Sequence, residues 1–128
     1  MNVLIVNSKP DLAQLWARHV MRQGADVACV ETEMSAVQFL QKRTFDIIVL
    51  DLMLDGGSAF AVADYASYRQ PDARVVFVTS SHFFSDGSIF RHIPNACAFL
   101  PSGTPPEDLA AVVGHYGELG AVATPEPN

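Results

Sequence analysis

Apolar residues in this chain come in short bursts. Val3-Leu4-Ile5-Val6, Ile47-Ile48-Val49-Leu50 and Val75-Val76-Phe77-Val78 are unbroken and rich in β-branched residues. Such runs mark strands buried on both faces, as in a parallel sheet with helices on either side. Val27-Ala28-Cys29-Val30 and Ala96-Cys97-Ala98-Phe99-Leu100 are diluted by smaller residues and suit edge strands. Between the bursts, apolar positions recur at helical spacing. Leu12, Leu15, Trp16 and Val20 share one face of a first helix, with Asp11 near its start and Gly24 past its end. A second helix is predicted from about Met34 to Lys42, with Val37, Phe39 and Leu40 inward. A third runs from about Ser58 to Arg69, with Phe60, Val62, Ala63 and Ala66 as its apolar positions. The fourth has the weakest pattern, about Ser85 to Ile93, and carries Ile89, Phe90 and Ile93. The fifth opens at Pro105-Pro106-Glu107-Asp108, with proline in the first turn and acids at the positive end of the helix dipole. It carries Leu109, Val112, Val113 and Tyr116.

Strand and helix alternate along the chain, which is the pattern of a doubly wound α/β domain. Right-handed crossovers leave few topologies. The length favours a flavodoxin-like (βα)5 fold with a five-stranded parallel sheet in the order 2-1-3-4-5. The domain is expected over residues 1–119. Residues 120–128 hold two prolines and no periodicity and read as a flexible C-terminal tail. Composition narrows the picture. The chain has 128 residues, 49% hydrophobic and 17% charged, enough apolar material for one core. Its net charge is −6, and Lys9 and Lys42 are the only lysines. That excludes a nucleic-acid surface, which needs clustered basic residues. No run approaches a membrane span or a signal-peptide core, so a cytoplasmic domain with no membrane contact is expected. Cys29 and Cys97 fall on opposite sheet edges in the proposed order, too far apart for a disulfide, and read as small core residues. His19, His82, His92 and His115 are scattered and read as surface positions.

In such a fold the functional groups gather at the carboxyl ends of strands one, three and four. Those ends are Asn7-Ser8, Asp51 and Thr79, with Pro101-Ser102-Gly103 after strand five. An aspartate closing a central apolar strand, Ile-Ile-Val-Leu-Asp, is the most informative residue. A carboxylate there costs free energy unless it is solvated, hydrogen-bonded or paired with a cation. Thr79 on the neighbouring strand is placed to hydrogen-bond an anion held on Asp51. The plain alternative is that Asp51 only caps the following turn.

Across residues 2 to about 118 the chain resembles a response-regulator receiver domain of two-component signalling. The matching pieces are Val-Leu-Ile-Val at strand one, Phe-Asp-Ile-Ile-Val-Leu-Asp-Leu-Met-Leu around Asp51, and Val-Val-Phe-Val-Thr-Ser at strand four. Ala-Phe-Leu at strand five and the helix-opening Pro-Pro-Glu-Asp-Leu complete them. The resemblance implies that Asp51 takes a phosphoryl group from a phosphohistidine donor and that Thr79 then binds it. It implies that Phe99 turns inward and remodels the face formed by the fourth helix, fifth strand and fifth helix. The implied partners are a sensor histidine kinase or phosphotransfer protein and a downstream protein.

The departures from the family pattern are specific. Asn7 and Ser8 stand where the family has a magnesium-binding acid pair, and Ser102 stands where it has a lysine. Asp55 replaces the usual proline and Ala59 the usual glycine after the acceptor. Magnesium wants hard oxygens and neutralising charge. Asp51, the carbonyl of Met53, Asn7 and Ser8 supply oxygens but one formal negative charge, so Mg2+ binding is expected to be weak or absent. Phosphoryl transfer leans on cations that offset the charge of the moving group. Their loss predicts weak phosphorylation. Asp55 reads as a solvated loop residue and Asp11 as a first-turn acid.

Phe83, Phe84 and Phe90 crowd the start of the expected fourth helix. They are either interface filler or an apolar surface for a partner or a twin subunit, and the second reading is preferred. Enzymatic alternatives fit poorly. Met53 stands where a haloacid-dehalogenase-type phosphatase needs a second aspartate, and Asn7-Ser8-Lys9-Pro10 is a poor flavin-phosphate loop. The expectation is an atypical stand-alone receiver domain that is not an enzyme, with output through protein contact. The alternative is an interaction module that no longer depends on phosphorylation.

Overall fold

The computed structural model describes residues 1–79 and 93–123, with side chains described to Gly117. The elements are β1 (Asn2–Val6), α1 (Pro10–Met21), β2 (Asp26–Val30), α2 (Glu33–Lys42), β3 (Ile47–Asp51), α3 (Ala59–Arg69), β4 (Arg74–Thr79), β5 (Ala96–Pro101) and α4 (Pro106–Ala123). The strands form one parallel sheet in the order β2-β1-β3-β4-β5. This is the flavodoxin-like order that the sequence predicts, with the diluted runs on the edges. The fourth predicted helix, from Ser85, and the phenylalanines Phe83, Phe84 and Phe90 lie outside the described residues, as do His82 and His92. The helix numbered α4 is therefore the fifth in the sequence prediction.

The unbroken runs are buried because each strand feeds both layers. Leu4, Val6, Ile48, Leu50, Val75 and Phe77 pack with α2 and α3. Val3, Ile5, Ile47, Val49, Val76 and Val78 pack with α1 and α4. Alternate side chains point to opposite faces of a strand, so a continuous apolar run fills two layers at once. Local signals start the helices. Thr32 accepts the Ser35 N–H at 3.1 Å and Ser58 accepts the Ala61 N–H at 3.3 Å, which caps α2 and α3. Pro10 and Pro106 open α1 and α4.

The β4–β5 register slips by one residue at Cys97, between the Val75–Ala96 and Val76–Ala98 pairs. Straight pairing would set Ala98 opposite Phe77 and turn Phe99 toward α1 and α4. The slip instead pairs Phe77 with Phe99 and puts both rings in the α2–α3 layer. The structure also corrects some sequence readings. Cys29 is exposed and not a core residue, because β2 is an edge strand with β1 as its neighbour on one side only. Its Sγ lies 3.9 Å from the Ala13 carbonyl. On α1 the buried face is Ala13, Trp16, Ala17 and Val20, with Leu12 and Leu15 at its margins. Phe60 is 39% exposed, though its ring meets Phe77. Helix α4 runs through 120–123, where the loose tail was expected, since Ala121 and Ala123 favour helix and the first proline comes at Pro125. No helix among the described residues is long and apolar enough to cross a membrane.

Candidate functional site

The sheet delivers Asn7, Asp51, Thr79 and Pro101-Ser102 to one edge, at the carboxyl ends of β1, β3, β4 and β5. Beyond the last paired residues of β1 and β3, Val6 and Leu50, stand Asn7 and Asp51. Asp51 itself pairs with Val78, one step before Thr79. Thr79 pairs with Pro101, and its carbonyl accepts the Ser102 N–H at 3.0 Å. The sequence-predicted residues Asn7, Ser8, Asp51, Met53, Thr79 and Ser102 therefore share one rim.

Their environments differ. Asp51 is half-buried, and its Oδ1 accepts the Met53 N–H at 2.9 Å. The Met53 side chain is exposed. Thr79 is buried, while Ser102 is exposed. Phe99 is partly buried and its ring lies 5.5 Å from Phe77, whose ring lies 6.2 Å from Phe60. Phe99 thus sits against the sheet layer, at tilted-ring separations that favour aromatic pairs.

Asn7 is fully buried. Its Oδ1 accepts the Lys9 N–H at 2.9 Å, which fixes the orientation of the amide. Its Nδ2 is buried with no hydrogen-bond partner among the described residues. The Asn7 oxygen is thus engaged by backbone at the end of β1. Ser8 Oγ donates to the Glu31 carbonyl at 3.0 Å and accepts the Asp55 N–H at 2.8 Å. The Asp55 and Asp11 side chains are exposed. Among the described residues no group of His, Cys, Asp and Glu is arranged to hold a metal ion.

Sequence reasoning missed the residues that set the loop after β3. Thr32 and Gly56 form an isolated bridge, and the Glu33 N–H donates to the Gly56 carbonyl at 2.9 Å. Glu33 Oε1 accepts the Ser58 N–H at 2.8 Å. Gly57 lies at φ +114°, where a Cβ would come within 2.5 Å of Glu33 Cβ. The Gly56-Gly57 pair was the visible signal, since adjacent glycines mark a close backbone approach.

Residues 3–87 match the family model of the response regulator receiver domain. No curated protein matches the chain. Among solved structures it is similar to the signal receiver domain of a protein described as a LuxO repressor from Vibrio parahaemolyticus. The identity is 26% and the TM-score 0.83, over 94% of this chain and 92% of that one. It is similar to a CheY-like receiver domain protein from Methanospirillum hungatei, with 15% identity and TM-score 0.85 over 94% and 96% of the two chains. Response regulator TrrA from Thermotoga maritima, solved in complex with Mg2+ and BeF, shares 17% identity and TM-score 0.77 over 90% and 97%. The last two likenesses show the fold.

Proposed function

This chain belongs to the response regulator receiver domain family of two-component systems, and from that premise we propose that Asp51 is its phosphoryl acceptor. Receiver domains are signalling modules, generally not enzymes, that meet histidine kinases or phosphotransfer proteins and downstream partners. The observation that carries the reading is the placement of Asp51. It closes the central strand β3, half-buried, with its Oδ1 held by the Met53 N–H. That bond orients the carboxylate and leaves Oδ2 as the attacking atom. Oδ2 forms the new P–O bond as the P–N bond to a donor histidine breaks, and the departing imidazole takes a proton from water. Thr79 stands one strand away as a hydroxyl for a phosphoryl oxygen, and Asn7 ends the strand on the other side. Ser102 supplies no positive charge. Output is read as contact with a partner protein, through the Phe99 face and through Phe83, Phe84 and Phe90, with a twin subunit as an alternative occupant.

Receiver domains typically hold Mg2+ at this position. The donors here do not fit one. The oxygen of Asn7 is committed to Lys9, its free amide group is a donor, and Ser8 Oγ is held between Glu31 and Asp55. One formal charge is too little for a hard dication that demands near-octahedral oxygens. Without a cation the developing phosphoryl charge is offset by neutral donors alone, so acceptance is slow.

The test is intact mass after incubation with acetyl phosphate or phosphoramidate, with and without Mg2+. One phosphoryl group is expected to accumulate slowly, with little gain from Mg2+, and none in Asp51→Asn. No adduct from either donor would turn the reading to the second one, an interaction module independent of phosphorylation. The bonds that already set the loop after Asp51 favour that second reading.

A further inference from the structure

We propose that the Ser8 hydroxyl acts as a latch that fixes the loop after Asp51 without metal. Three stretches of chain must be held together at this rim: the end of β1, the turn before α2 and the loop before α3. Ser8 Oγ reaches both of the others. Its proton goes to the Glu31 carbonyl and a lone pair takes the Asp55 N–H. A hydroxyl has one proton and two lone pairs, so this geometry uses it as donor and as acceptor at once. A carboxylate at position 8 would accept from Asp55 but repel the Glu31 carbonyl.

The two loops are joined again beyond Ser8. The Glu33 N–H meets the Gly56 carbonyl, Thr32 bridges Gly56, and the Glu33 carboxylate takes the Ser58 N–H. Gly57 has no side chain, and that absence lets Glu33 lie against the loop. Each bond is modest in net worth, because folding exchanges it for a bond to water. Together they leave the loop little to gain from a cation that would draw the same strands together.

The inference rests on the receiver reading only for where a cation would sit. Its test contains no phosphoryl donor, so it stands or fails apart from the role of Asp51. The measurement is amide hydrogen exchange of the full chain, in EDTA and in excess Mg2+, for wild type and Ser8→Ala. The Asp55 amide of the wild type is expected to be protected in EDTA, with no change on adding Mg2+. Ser8→Ala is expected to speed its exchange about tenfold, the worth of about 1.4 kcal/mol, while Ser58, held by Glu33, keeps its rate. The inference is overturned if the wild type needs Mg2+ to protect Asp55, or if Ser8→Ala leaves that amide unchanged. The wild-type comparison decides the metal question even if the variant fails to fold.

Discussion

The two halves of the sheet's carboxyl edge are held by different physics. On the β1–β3 side, side-chain oxygens fasten backbone. Asn7 takes the Lys9 N–H, Ser8 joins Glu31 to Asp55, Asp51 takes the Met53 N–H, and Glu33 takes the Ser58 N–H. On the β4–β5 side the α2–α3 layer carries a row of rings, Phe60, Phe77 and Phe99, aligned by the slip at Cys97. Hydrogen bonds are directional and specify one geometry. Ring contacts have broader preferences, satisfied by both offset and edge-to-face arrangements, so they leave more room for a side chain that turns. The Asp51 half is thus fixed by directional bonds. The Phe99 half is held by ring contacts that a turning side chain would exchange at lower cost.

The largest expected effect tests the ring half. Phe77→Ala removes the buried ring between Phe60 and Phe99 and is expected to cost about 3–5 kcal/mol in urea unfolding. A loss near 1 kcal/mol would show that the layer closes up without it, and the comparison would lose its second term. The next test sets one glycine from each half against the other. Gly57→Ala forces a side chain onto φ +114° and against Glu33, and is expected to cost about 1–3 kcal/mol. Gly103, after β5, has open space where its Cβ would go, so Gly103→Ala is expected to stay within about 0.5 kcal/mol. Equal costs at the two positions would break the contrast between a loop packed against Glu33 and one with open space at its glycine.

The same contrast explains what was legible beforehand. Strands β1, β3 and β4 were legible because a run such as Ile47–Leu50 feeds two layers and allows no other element of that length. The sheet order followed from diluted edges, right-handed crossovers and the chain length, and Asp51 stood out as a carboxylate ending an apolar strand. The work of Ser8 was not legible. It depends on Glu31 and Asp55, which are distant in sequence and meet only once the sheet has formed. At position 8 the sequence showed a missing acid, and the structure shows a hydroxyl with two bonds. The slip at Cys97 was equally hidden. It decides which layer receives Phe99, yet Ala-Cys-Ala-Phe-Leu reads the same in either register.

The smallest effect concerns the thiols on the two outer strands, Cys29 beside the tied half and Cys97 beside the ring half. Burial pushes the Cys97 thiol up to about 11 from an ordinary 9.0, with Arg74 opposing it in part. Burial also raises the Cys29 thiol, although the residue as a whole is exposed. Between pH 9.0 and about 11 the folded chain keeps a proton on Cys97 that the unfolded chain has released. Stability therefore falls as pH rises through that window, and below it the thiol adds no slope. Cys97→Ala is expected to flatten that part of the alkaline decline in urea midpoints. At mildly alkaline pH a thiol reagent is expected to modify Cys29 first, because its strand margin is open while Cys97 packs against the α1–α4 layer. If Cys97 reacts first, the β5 edge opens faster than its packing implies. The ring half would then be loose along the whole strand and not only at Phe99.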